Sequence, residues 1–369
     1  MTQEAVELTK GESIRSFQGM RAIAFLGIFL SHCGISALGE WGVSIFFVMS
    51  GFLMMHRYGS KSMDVSARFC LRFSFRKISK IYPLHVLMTV AAIPLAVYSL
   101  LNGMPDTSAV SLLRDVALHA ALLQAWIPDE SVYFGLNGVA WYLSACVVLY
   151  ALFPPLLRLF CRIPNRKTGL LIAAGVYCAQ IFVAAAVNMA LAGHAGAKSS
   201  IIWFTYVFPL FRLGDFSIGC CLGAAFSDAG HCIDSKCATL LEALIFAGWA
   251  ILYSLFQHHL GIGGMEWFRH TLLYLPVTAL AIYVFAMEKG IISGILSCKP
   301  LVLLGNISAY MFLIHQIVIR YVVVFIHRTL QTTPNPWLAA CVSLPVTILL
   351  SALCERYAAG KHLSSVQTV

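Results

Sequence analysis

Charge is what this sequence has least of. Asp, Glu, Lys and Arg together make up 11% of its 369 residues, against roughly 25% in soluble domains, which leaves no room for a large soluble domain. Acid is scarcer than base, with 16 Asp and Glu facing 25 Lys and Arg. The 12 cysteines include no CxxC pair and no Cys/His spacing of the zinc type. The loops expected outside the membrane carry almost none, so neither a structural metal nor a disulfide framework is expected. No small-residue cleavage site follows the first apolar run, so that run is read as a retained span and nothing is expected to be removed. No internal repeat stands out and glycine is spread rather than paired at midpoints, which weighs against a transporter built on inverted repeats.

What the chain has in abundance is apolar surface: 59% hydrophobic residues and a mean hydropathy of +0.81. The expected fold is all-α, a polytopic membrane bundle of about ten transmembrane helices. Apolar runs near 18–36, 39–56, 81–101, 138–157, 168–191, 201–226, 239–257, 270–287, 302–325 and 337–354 approach the ~20 residues that cross a bilayer. A further run at 112–126 is short and carries Arg114, Asp115 and His119, so it reads as an interfacial or re-entrant helix. The 57–80 loop holds Arg57, Lys61, Arg68, Arg72, Arg76, Lys77 and Lys80 against Asp64, and the 158–167 loop holds Arg158, Arg162, Arg166 and Lys167. Both loops, and with them both termini, are expected on the cytoplasmic side. The domain reading is a tail at 1–16, a membrane domain at 17–355 and a second tail at 356–369. Topology accounts for the net charge of +9, and no nucleic-acid partner is called for.

Against this background two residues in the run 21–32 are out of place. Arg21 and His32 are eleven positions apart, which at 100° per residue puts them on nearly the same helix face, about 16 Å apart along the axis. Ionisable groups within a span are costly unless they line a polar cavity or find partners, so a functional site is the default reading. Arg212 and Asp215, three apart on one helix, can neutralise each other as a structural ion pair or belong to the site. Trp141 and Ser144 share a helix face that can line an acceptor path, although Trp at an interface is commonplace. His56, His85, His258 and His259 read as interfacial, and Cys33 beside His32 is a weak candidate acyl carrier because adjacent positions point about 100° apart.

The motifs taken in order resemble one family. SFQGMRAIAFLGIFLSHCG (16–34) is similar to the first span of the membrane acyltransferase family 3, and GVSIFFVMSGFLM (42–54) to its second. RKISKIYP (76–83) resembles its basic loop, and WYLSACVVLYALFP (141–154) its Trp-x-x-Ser segment. FPLFRLGDFSIGCCLG (208–223) resembles its Arg/acid span and LGNISAYMFLIHQIVI (304–319) its late Leu-Ile-His segment. The resemblance spans the chain, with two departures. Ala145 and Cys146 stand where many members carry paired acids, so no role can be carried over for those carboxylates. Lys80 replaces the usual Arg, keeping the charge but losing the bidentate fork.

The resemblance implies an integral-membrane O-acyltransferase, most simply an O-acetyltransferase, in the inner membrane of a bacterium. It would move an acyl group from acyl-CoA to a hydroxyl of a polysaccharide or lipid-linked glycan, with acyl-CoA as substrate and no permanently bound cofactor or metal. A sugar hydroxyl is a poor nucleophile at neutral pH, and His32 is the expected general base. Arg21, with Arg76, Lys77 and Lys80, is expected to hold the donor's phosphates or pantetheine arm. His315 is expected in the same cavity or in a structural hydrogen bond. The different-class alternative is a transporter or exporter without acyl chemistry. Because the chain ends soon after its last span, chemistry is expected within the membrane part.

Overall fold

The computed structural model describes residues 14–102, 108–227, 233–255 and 265–367, with side chains as far as Ala358. Every regular element among them is helical, as expected where hydrocarbon leaves backbone N–H and C=O groups no partners outside their own segment. The principal helices are α1 (Arg15–His32), α2 (Gly39–Tyr58), α3 (Ala67–Ile78), α4 (Tyr82–Leu101), α5 (Ala109–Ala120) and α6 (Trp141–Phe160). They are followed by α7 (Arg166–Leu191), α8 (Pro209–Ser227), α9 (Ser235–Leu255), α10 (Leu275–Phe285), α11 (Ser308–Leu330) and α12 (Pro336–Gln367).

A helical membrane bundle is therefore what the chain forms, with 7 helices among the described residues long and apolar enough to cross a bilayer. That is fewer than the ten expected. Helices α1 and α2 are long enough but dilute their apolar runs with Gln18, Arg21 and His32 and with Glu40, Ser50 and His56, and more than half of the residues of each are buried. The run at 270–287 forms only the 11-residue α10, about 16 Å long against ~30 Å of hydrocarbon. Pro276 sits in its first turn, where a missing N–H costs nothing. The late run at 302–325 is divided at Ile307, after Gly305 and Asn306, two weak helix formers. Helix α5 has 12 residues, is capped by Ser108 and leaves Val110 and Leu113 exposed, so it is too short to span.

Close backbone approach builds the core. Gly51 of α2 lies over the Phe216 carbonyl of α8, and Gly219 of α8 lies over the Val48 carbonyl of α2, so a Cβ at either position would strike backbone. Small residues at such crossings are what allow helices to pack without help from water. The aromatic side chains around this crossing interlock, with Phe17 of α1 against Phe52 of α2 at 5.3 Å and Phe153 of α6 against Phe216 at 6.1 Å between centroids. Helix α11 is tied to the turn before α6 by Asn137, whose Nδ2 donates to the Leu313 carbonyl at 2.9 Å, and by Arg320, which donates to the Leu136 carbonyl. Helices α1, α2, α6 and α11 thus enclose the space that holds the polar residues.

Candidate active site

Helix α1 delivers Arg21 and His32 to two separate cavities. The first, of about 310 Å³, is lined by Arg21, Ser50, Lys77, Lys80, Tyr142 and Cys146 among others. The second, of about 320 Å³, is lined by His32, Ser31, Glu40, Trp141, Tyr206 and Gln316 among others. Phe312 of α11 belongs to the walls of both.

In the first cavity Arg21 stands without a counterion. Among the described residues it takes part in no ion pair, and its buried Nε has no hydrogen-bond partner. Lys77 reaches the same space from the last turn of α3, held there by its ammonium donating to the Tyr58 hydroxyl at 2.9 Å and lying 4.8 Å from the centre of that ring. Lys80 follows one turn later at the mouth. Arg76, grouped with them in the sequence, is exposed and does not line the cavity. Arg68 and Arg72 are likewise exposed. A concave site carrying several cations and no carboxylate is complementary to phosphate and other anions.

At the second cavity the hydrogen bonds fix the histidine tautomers. His315 is fully buried on α11, and its Nδ1 lies 3.1 Å from the Met311 carbonyl, which can only accept. Its proton therefore sits on Nδ1, leaving a lone pair on Nε2. That lone pair faces His32 Nδ1 at 3.1 Å, and His32 Nδ1 also lies 3.0 Å from the Ile28 carbonyl. Both of these neighbours accept, so His32 carries its proton on Nδ1 and its own lone pair on Nε2. That nitrogen has no hydrogen-bond partner among the described residues, and the ring lines the cavity. Phe25 packs edge-on against His315 at 5.4 Å, which locks the pair in place. The arrangement repeats the logic of a catalytic base oriented through its second nitrogen, with an imidazole where a carboxylate is more usual.

Glu40, which motif reading passed over, stands in the same wall. It opens α2 eight residues after His32, and its Oε1 lies 3.0 Å from Nδ1 of His270. The other nitrogen of His270 lies 3.2 Å from Glu266, which Lys198 contacts at 3.3 Å. An imidazole between two carboxylates satisfies both only when it carries both protons. Burial pushes the Glu266 carboxyl up, but Arg269, Lys198 and His270 together hold it below its ordinary value. The available signal was an acid placed at the head of an apolar run within a short turn of His32. Gln316, next to His315, was equally legible as a polar residue on an apolar face; its Oε1 accepts from the Val139 backbone at 3.2 Å and helps shape the wall.

The remaining sequence candidates fall outside the two cavities, with one exception. Trp141 lines the His32 cavity. Ser144, one turn on, is buried and donates its hydroxyl to the Leu122 carbonyl. Arg212 and Asp215 form a fully buried ion pair at 3.0 Å. Gln180 donates to Asp215 at 3.0 Å, Arg212 donates to the Thr271 hydroxyl, and the guanidinium lies 4.4 Å from the centre of the Phe47 ring. The pair backs the cavity wall through Tyr206, 5.8 Å from the guanidinium, without lining it. His56 is exposed and stacks on Phe52, while His85 is buried with Nε2 2.8 Å from the His119 carbonyl. His258 and His259 lie outside the described residues. Of the positions where paired acids are usual, Ala145 is buried and Cys146 lines the Arg21 cavity.

Two cavities joined along one helix, a cationic one and one with a poised imidazole, suit the transfer of a group from an anionic carrier to a second substrate. Residues 14–356 match the model of the acyltransferase domain of family 3. The chain belongs to this acyltransferase family. It is similar to "Acyltransferase MdmB" of Streptomyces mycarofaciens, 26% identical over 330 residues that cover 83% of this chain and 79% of the relative. No solved structure matches it. The family makes the chain a membrane acyltransferase.

Proposed function

We propose that this acyltransferase is acyl-CoA-dependent and acts on hydroxyl groups, with donor and acceptor entering from opposite ends of α1. The observation that carries the reading is the hydrogen-bonded series from the Met311 carbonyl through His315 to His32, which leaves a basic nitrogen on the wall of the cavity away from the cationic one. Acyl-CoA offers phosphates and a pantetheine arm to Arg21, Lys77 and Lys80. The acceptor hydroxyl sits against His32. As its oxygen bonds to the acyl carbon, Nε2 of His32 takes the hydroxyl proton. The carbon–sulfur bond then breaks, and the departing thiolate is protonated by the imidazolium. His315 holds the His32 ring in the productive tautomer and accepts a hydrogen bond throughout.

Basic loops at the Arg21 end orient that cavity to the cytoplasm, where acyl-CoA is made, and the His32 cavity to the outside. That orientation supports a multi-pass protein of a bacterial inner membrane that O-acetylates a polysaccharide or lipid-linked glycan. Purified protein in lipid nanodiscs, supplied with radiolabelled acetyl-CoA and extracts of envelope glycans, tests this reading. Label is expected in the glycan fraction, and comparison of glycans from cells with and without the gene is expected to show an acetyl-sized mass difference. Saturable uptake of a solute without acyl turnover would replace the reading by transport.

A further inference from the structure

The two cavities share one lining residue, and it is aromatic. Phe312 faces both spaces. On the Arg21 side it meets Phe46 at 6.0 Å and Tyr142 at 5.2 Å between centroids, and these two lie 6.2 Å from each other. On the His32 side it lies 6.0 Å from the His315 ring. Phe46 and Tyr142 line only the Arg21 cavity, whereas Trp141, adjacent to Tyr142 in sequence, lines only the other. Phe312 itself is 7% exposed, so its ring fills the gap rather than swinging in open space.

We propose that Phe312, closed over by Phe46 and Tyr142, sets the length of the acyl group the protein transfers and keeps water of the His32 cavity away from the thioester. The inference rests on the acyl-CoA reading above. A thioester advancing from the Arg21 side must bring its carbonyl to these rings before a hydroxyl on the other side can reach it. Carbons beyond the carbonyl then have to fit among the three rings. A two-carbon acyl group ends there, and each further methylene meets packed aromatic surface that yields little. One misplaced methylene in such a pocket discriminates by about 10- to 200-fold. The same rings prevent a wasteful hydrolysis in which water oxygen bonds to the acyl carbon, the carbon–sulfur bond breaks and the water proton passes to the CoA thiolate.

The test uses the full chain reconstituted in sealed vesicles of known orientation, as wild type, Phe312→Ala, Phe312→Leu and Phe312→Trp. Two readouts are compared: transfer and hydrolysis of acetyl-, butyryl- and hexanoyl-CoA, and labelling of Cys146. Cys146 is a natural reporter, since it lines the Arg21 cavity and not the other. A membrane-impermeant maleimide is added on the His32 side, and labelling is located by peptide mass spectrometry. Phe312→Ala is expected to raise the butyryl-to-acetyl ratio of kcat/KM by about tenfold or more, with faster hydrolysis in the absence of acceptor and faster Cys146 labelling. Phe312→Leu is expected between it and wild type, and Phe312→Trp to lower the ratio. If the alanine variant does not fold, the leucine and tryptophan variants still carry the test because they push in opposite directions. Folded variants with the chain-length ratio and Cys146 labelling of wild type would overturn the proposal. A wild type that turns over no acyl-CoA would overturn the donor reading, and Cys146 labelling would still decide whether Phe312 divides the cavities.

Discussion

Arg21 and Arg212 are both guanidinium groups set deep in apolar helices, and the protein treats them in opposite ways. Arg212 has its counterion built in: Asp215 lies 3.0 Å away, the Thr271 hydroxyl accepts from the guanidinium and the Phe47 ring lies 4.4 Å from it, even though its Nε, like that of Arg21, has no hydrogen-bond partner among the described residues. Arg21 faces a cavity with no carboxylate against it among the described residues. A cation with its partner built in is part of the scaffold, because its desolvation is offset inside the protein. A cation left open to a cavity keeps its charge and donors available to an incoming anion. The difference separates structure from function among residues that composition alone cannot tell apart.

The largest effect is expected from breaking the buried ion pair. Asp215→Ala strands Arg212 in the core and should cost about 3–5 kcal/mol, read as loss of monodisperse protein in size-exclusion chromatography and a lowered Tm. Replacing both partners together with apolar residues should recover much of that loss. Next comes the His32 support. His315→Phe keeps the packing against Phe25 but removes the acceptor, and kcat should fall by about 100-fold with donor Kd unchanged. His315→Gln should return part of it, which a merely structural role would not explain.

Arg21→Met is the mirror image of Asp215→Ala. Stability should stay the same or rise, while acyl-CoA binding measured by calorimetry weakens by about tenfold or more, the loss of one charge-assisted contact. Arg21→Lys should fall between, since it keeps the charge without the fork. The smallest effects sharpen the boundary of the donor site. Lys80→Ala should raise KM for acyl-CoA a few-fold, about what one solvated ion pair supplies, whereas Arg76→Ala should leave KM unchanged because its side chain lies away from the cavity.

Local pattern carried the reading a long way. An Arg and a His eleven apart in an apolar run, an Arg and an Asp three apart, and a late His in a similar run are each visible in one dimension. Helical geometry alone says which of them share a face. What it could not say was which face meets which neighbour. Ser144 is the plainest case, because the helical spacing that put it beside Trp141 is real, yet its hydroxyl is taken by the Leu122 carbonyl from a distant turn. Arg76 and Lys77 are adjacent in sequence, and only tertiary packing of α3 sends one to the surface and the other to Tyr58 and the cavity.

Two relations around the His32 cavity escape local pattern for the same reason. Glu40 looks like an interfacial acid until the turn between α1 and α2 and the helix carrying His270 bring it into the wall. His315 is 283 positions from His32, a pairing no local spacing can reveal. Seven helices among the described residues, rather than ten, have the length and hydropathy of a span for a different reason. Hydropathy averages a run and does not see Pro276 setting the start of α10 or the break at Ile307.

If His32, held by His315, is the base that activates the acceptor hydroxyl and the donor binds independently at the Arg21 end, then removing the His32 imidazole must stop transfer and spare donor binding. Single-turnover acetyl transfer by the His32→Ala variant in nanodiscs, alongside its affinity for acetyl-CoA, tests this most directly. Acetyl transfer is expected to fall by at least about 100-fold, with acetyl-CoA bound as tightly as by wild type. A folded His32→Ala variant that transfers acetyl at the wild-type rate would contradict this assignment of the base.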